Sequence, residues 1–161
     1  MESREFFKRI LHQHPFFRDM PEDYLATLAG CASNVRFKPG SRVFQRGTPA
    51  DSFYILRTGR IAIDIESPER GDITIATLGE GEVVGWSWLF PPYEWHHDAR
   101  AVEDTRAIAL DGKCLRGKCE ADPALGYELM KRFSAMVIDR LKATQLQLLD
   151  MYGRSQTSTL D

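Results

Sequence analysis

The sequence predicts a mainly β fold with flanking helices: a double-stranded β-helix, or jelly-roll-like β-roll, with N-terminal helices and a long C-terminal helix. Three observations carry this. Short β-rich runs punctuated by glycine fill the stretch from Val35 to Leu110. Turns recur there at intervals of roughly ten residues, the spacing of a sandwich, roll or barrel. Helical periodicity flanks the stretch on both sides.

Each element follows in order. Phe6, Phe7, Ile10 and Leu11 recur at helical spacing, and His14-Pro15 ends that run. A second short helix is expected over Glu22 to Cys31, with Pro21 near its first turn and Leu25, Leu28 and Ala29 inward. Ile61-Ala62-Ile63-Asp64-Ile65 and Ile73-Thr74-Ile75 alternate as strands. Phe53 to Leu56 is an apolar run bounded by turns, and Thr105 to Leu110 is a further strand. No long helix interrupts this region, which argues against a parallel α/β sheet.

After Leu110 the period returns to that of a helix. Asp111 can cap a short helix, and Asp122-Pro123 reads as an N-cap with proline at N1. Leu125, Leu129, Phe133, Val137, Leu141, Thr144, Leu148 and Tyr152 follow at spacings of three or four, giving a helix of about seven turns. One domain is therefore expected over 1–153, with helices in 1–34, the roll in 35–110 and helices in 111–153. Gly153 reads as a stop, and 154–161 as a polar tail.

Composition narrows the function. The 161 residues are 43% hydrophobic and 27% charged, which excludes a disordered chain. No apolar run approaches the roughly 20 residues of a spanning helix. The first ten residues carry charges throughout, without a signal-peptide core. The three cysteines, Cys31, Cys114 and Cys119, are an odd set without zinc spacing. Reduced thiols in the cytoplasm, with a structural or incidental role, are the expectation. A net charge of −2 argues against a non-specific grip on nucleic acid or anionic membrane. No nucleophile elbow, HExxH or P-loop is present, so no enzyme is expected.

The stretch Phe37, Gly40, Val43-Phe44, Gly47, Asp51, Tyr54-Ile55 and Gly59 closely resembles the cyclic-nucleotide-binding domain family, which includes the sensor halves of catabolite-activator-type bacterial regulators. Leu78 to Gly85 resembles the run into that family's phosphate-binding cassette, and Asp98 to Val102 the strand leaving it. The resemblance covers roughly Ile10 to Tyr152. It implies a β-roll sensor, a dimer through the long helix, and a cassette in which a glutamate accepts from the ribose and an arginine pairs with the cyclic phosphate.

Two positions depart from it. Trp86 stands where the glutamate is expected. The arginine position falls on Trp95 counted back from Arg100-Ala101, or on His96 counted forward from Gly85. Arg100 matches a different arginine on the exit strand. Each charged hydrogen bond contributes about 1.5–3 kcal/mol, so losing both removes roughly 3–6 kcal/mol, or about two to four decades of affinity. Trp86, Trp88 and Trp95 all fall in the cassette window, with Phe90 and Tyr93 and a stiff Pro91-Pro92. Two readings stay open: aromatic walls for a flat or cationic ligand, or indoles that fill the old pocket.

Gly85, Trp86, Ser87, Trp88, Trp95, His96, His97 and Asp98 are the candidate ligand-binding residues. Trp86 to Leu89 is expected to start a short helix whose amides face an anion. The ligand would be nucleotide-like or another small anion, with no cofactor required. His96 could stand in for the arginine, whereas His96 and His97 point to opposite faces of a strand and are not expected to chelate a metal. Three functions stay open: a sensor with a remodelled pocket, a degenerate fold used for dimerisation or a protein partner, and a cyclic-nucleotide receptor using backbone amides and a histidine. The sequence stops soon after the long helix, so direct DNA binding is not expected; without a long apolar run or a basic charge balance, no membrane partner is expected either.

Overall fold

The computed structural model describes the backbone of residues 2–158 and the side chains of residues 4–153. Helix α1 (Glu2–Gln13) is followed by a 3₁₀ turn (Pro15–Phe17) and α2 (Glu22–Ala29). Pro15 interrupts α1 as expected, because proline disfavours helical backbone in the residue before it. The His14 side chain accepts from the Phe16 amide at 3.1 Å, and its Nε2 lies 2.6 Å from the Gly81 carbonyl oxygen. Helix α2 ends two residues before the expected Cys31. Gly30 is its C-cap, and the Cys31 amide closes a turn onto Leu28.

Among the described residues, eight strands form two four-stranded sheets. They are β1 (Ala32–Phe37), β2 (Arg42–Phe44), β3 (Ser52–Thr58), β4 (Ile61–Ser67), β5 (Gly71–Leu78), β6 (Val83–Val84), β7 (Asp98–Ala101) and β8 (Thr105–Asp111). One sheet runs β1-β8-β3-β6 and the other β2-β7-β4-β5, with antiparallel pairing. The roll begins at Ala32, earlier than the expected residue 35, because Ala32 pairs with Leu110. Leu56, Val84 and Ala107 from the first sheet meet Ile61, Leu78 and Ala99 from the second in one buried cluster. Burying apolar area between two such faces, at about 25 cal/mol per Å², is the main force holding them together.

Helix α3 (Gly112–Ala121) starts where Asp111 caps it, its carboxylate accepting from the Cys114 amide at 3.1 Å. Asp122 Oδ1 accepts from the Leu125 amide at 3.4 Å at the start of α4 (Pro123–Ser158). Both caps match the expectation. The expected stop at Gly153 does not: α4 runs through it to Ser158. A lone glycine costs a helix only about 1 kcal/mol, and no proline follows to end it. The expected tail is thus helical in 154–158, while 159–161 lie outside the described residues.

The chain divides into two compact units between Gly126 and Tyr127. The first holds both sheets, α1 to α3 and the start of α4. The second is the rest of α4, whose hydrogen bonds run within the helix itself. Ile138, Leu141, Leu148, Leu149 and Tyr152 on it are between 51% and 67% exposed. Among the described residues no helix is long and apolar enough to cross a membrane.

Candidate functional site

The loop between β6 and β7 carries Gly85, Trp86, Ser87, Trp88, Trp95, His96 and His97, Asp98 opens β7, and all of them lie within the first unit. Gly85 opens it with φ +97°, a left-handed conformation that favours glycine. A Cβ there would also sit 2.9 Å from two indole carbons of Trp95. Gly85 is therefore needed twice, for the turn and for the close approach of Trp95.

No helix starts at Trp86. Residues 87–89 form a turn, with the Leu89 amide bonded to Trp86 and the Phe90 amide to Ser87. The expected helical start fails because Pro91 and Pro92 supply no N–H to continue it. The Pro91-Pro92 bond is cis, and Tyr93 follows with φ 59°. The Ala50 amide donates to the Tyr93 carbonyl at 2.8 Å, and the Gly47 amide to that of Trp95 at 2.9 Å, so the loop is laced to the β2–β3 connection.

The three tryptophans do not converge on one pocket. Trp95 is 6% exposed and stacks on Phe44 with ring centroids 3.7 Å apart and planes 6° apart. Trp88 is fully buried and stacks on Phe53 at 5.1 Å. Trp86 is half-buried; it stacks on His96 at 4.6 Å and meets Phe90 edge-on. Of the two residues the sequence offers at the arginine position, Trp95 is the one that packs beside Gly85. His96 is exposed, and its Nδ1 is hydrogen-bonded to the buried Ser87 hydroxyl at 2.9 Å. That hydroxyl is thus already engaged.

His97 is half-buried, and β7 begins at the next residue, Asp98. Asp98 accepts from the Arg46 amide at 2.8 Å and faces Arg42 at 3.4 Å. Arg100 donates through Nε to Asp64 at 2.8 Å, and Thr74 donates to the same carboxylate at 2.6 Å. These groups line a cavity of about 120 Å³ on β2, β4, β5 and β7. Ala99 belongs to the buried cluster, and its strand neighbours Asp98 and Arg100 alternate away from it. Arg100 is therefore occupied by Asp64.

One residue of this region escaped the sequence reading. Arg116 on α3 donates from Nη1 to the carbonyls of Trp88 (2.7 Å) and Ala50 (3.1 Å), and from Nη2 to Asp51 (3.0 Å). Its guanidinium carbon also lies 4.4 Å from the Tyr93 ring centroid. Gly112 makes room for this clasp: a Cβ there would meet Trp88 Cβ at 3.0 Å and the Asp51 backbone at 3.1 Å. The sequence signal was an arginine in the helix that follows the last strand, which specifies no partner.

A two-sheet antiparallel roll, a glycine-led loop between β6 and β7 and a long C-terminal helix are the architecture of a cyclic nucleotide-binding-type domain. The cyclic nucleotide-binding domain model matches residues 34–122, more than half of the chain, and the chain belongs to that family. It is 25% identical over 142 residues to the CRP-like cAMP-activated global transcriptional regulator of Mycobacterium tuberculosis (strain CDC 1551 / Oshkosh), covering 88% of this chain. The chain spans 62% of that regulator's length. A solved structure from Geobacter metallireducens GS-15, assigned to cyclic nucleotide binding, is 28% identical with a TM-score of 0.75, over 88% of this chain and 99% of that one. The regulatory subunit of a cAMP-independent protein kinase A from Trypanosoma brucei shares the fold, with a TM-score of 0.70 at 19% identity, over 91% of this chain and 52% of that one.

Proposed function

We propose that this chain is a non-catalytic regulatory domain whose phosphate cassette is closed by its own aromatic side chains, and that it is not a tight receptor for cyclic AMP or cyclic GMP. The burial of Trp95 between Phe44 and Gly85 carries this reading. An indole there supplies neither the charge nor the planar fork that a cyclic phosphate needs. Trp86 likewise lacks a carboxylate for a ribose hydroxyl. The relatives support the separation of fold from ligand, because one is described as cAMP-activated and another as cAMP-independent. Calorimetry with cyclic AMP and cyclic GMP is expected to give dissociation constants above roughly 100 μM, from the two missing charged contacts. Low-micromolar binding of either nucleotide would overturn the proposal.

We further propose that the output surface is α4, paired with α4 of a second copy. Ile138, Leu141, Leu148 and Tyr152 recur at heptad-like spacing and are exposed. A second copy is the fitting occupant because a single stripe of this kind is self-complementary across a two-fold axis. Light scattering at tens of micromolar should give about twice the 18.4 kDa chain mass, a range in which a stable interface is populated. A mass of one chain, or an unchanged mass for Leu141→Lys together with Leu148→Lys, would exclude the pairing.

A further inference from the structure

We propose that Cys31 and Cys114 form a thiol pair that a peroxide converts to an intramolecular disulfide, locking the α2–β1 junction to the first turn of α3. The two sulfurs lie 2.8 Å apart, across 83 positions of sequence. Reaching the roughly 2.05 Å of a disulfide requires an approach of less than about 1 Å. Both are free thiols.

Asp111 holds both partners in place. Its amide donates to the Cys31 carbonyl at 2.9 Å, and its carboxylate accepts from the Cys114 amide at 3.1 Å. The neighbouring pair Ala32 and Leu110 continues the same register into β1 and β8. The proximity is therefore built into the backbone on both sides.

The surroundings divide the roles. Cys114 is exposed and Cys31 half-buried. Burial, and then the hydrogen bond to Cys114, push the Cys31 thiol up to about 12, so it stays protonated near neutral pH and donates to Cys114. Cys114 thus meets the oxidant first. Its sulfur attacks the O–O bond of a hydroperoxide, forming a sulfenic acid and releasing the other oxygen as water or alcohol. The Cys31 sulfur then displaces the sulfenic oxygen as water, forming the S–S bond. Two thiols lose two electrons and two protons, and the peroxide takes up both. Cys119, half-buried and held up by burial, is the internal control.

The test uses the full chain, reduced, desalted and exposed to hydrogen peroxide. Remaining thiols are then alkylated, and the protein is examined by intact and peptide mass spectrometry without reductant. The expected result is a loss of about 2 Da for one disulfide, a linked peptide pair carrying Cys31 and Cys114, and alkylation at Cys119 alone. Dithiothreitol should restore three alkylation sites, and Cys31→Ser should leave Cys114 to accumulate as higher oxides. Cys119→Ser should leave the cross-link intact. Full alkylation of Cys31 and Cys114 after peroxide, over-oxidation of Cys114 in the unsubstituted chain, or a cross-link between two chains through Cys114 would each overturn the proposal. The outcome is independent of nucleotide binding, because neither sulfur belongs to the β6–β7 loop.

Discussion

Trp95→Ala is expected to destabilise the first unit by about 3–5 kcal/mol, the cost of removing a large buried aromatic and leaving a cavity. The indole stacks in parallel on Phe44 and packs close to Gly85, so both surfaces lose their contact at once. In a chain of this length the loss corresponds to a fall of roughly 6–20 °C in Tm. Trp86→Ala should cost only about 1 kcal/mol, since that ring is half-buried and its stacking partner His96 is exposed. Urea denaturation midpoints of the two variants measure the difference directly. Free indole should raise the Tm of Trp95→Ala and leave the parent chain unchanged, because an apolar cavity takes up a matching apolar molecule. A loss below about 1 kcal/mol for Trp95→Ala would mean that the ring is a removable lid, and that the pocket is open to ligands.

The sequence was legible where a period or a cap acts locally. The Phe7 and Leu11 face of α1 and the Asp111 and Asp122 caps each depend on neighbours within a few residues. The short strands β2 and β6, of three and two residues, hold too few positions to display a period of two. The candidate site was legible as a window and not as an arrangement. Composition placed three tryptophans between Gly85 and Asp98, but their partners Phe53, Phe44 and His96 come from β3, β2 and the loop itself. Spacing along the chain leaves the cysteines with a structural or incidental role and names no partner for Cys31, because its 2.8 Å contact with Cys114 arises from the β1–β8 register. The same limit hid Arg116, whose four partners all lie more than twenty residues away.

Arg116→Ala is expected to cost about 2–4 kcal/mol, because it removes one charge-assisted clasp and leaves several groups without their donor. The carbonyls of Ala50 and Trp88 each lose a hydrogen bond from Nη1, and Trp88 lies in the core. Asp51 loses Nη2 but is 40% exposed and stays 4.0 Å from Lys113, so water and that lysine recover part of its loss. The contact with the Tyr93 ring adds about 0.5–1 kcal/mol. Arg116→Lys should recover less than half of the total, since one ammonium cannot span both carbonyls, the carboxylate and the ring in the geometry of a planar fork. The effect should be confined to the clasp. Amide hydrogen exchange ought to accelerate at Ala50 and Tyr93, whose backbone bond ties the loop to the β2–β3 connection, while β4 and β5 keep their protection. A double-mutant cycle with Asp51→Asn separates the ion pair from the carbonyl bonds, with a coupling of about 1 kcal/mol expected for a pair this exposed. If Arg116→Ala changed stability by less than about 1 kcal/mol and left exchange at Ala50 and Tyr93 unaltered, the loop would be held by its own backbone bonds and the packing of Trp88 and Trp95, and α3 would have no grip on the cassette.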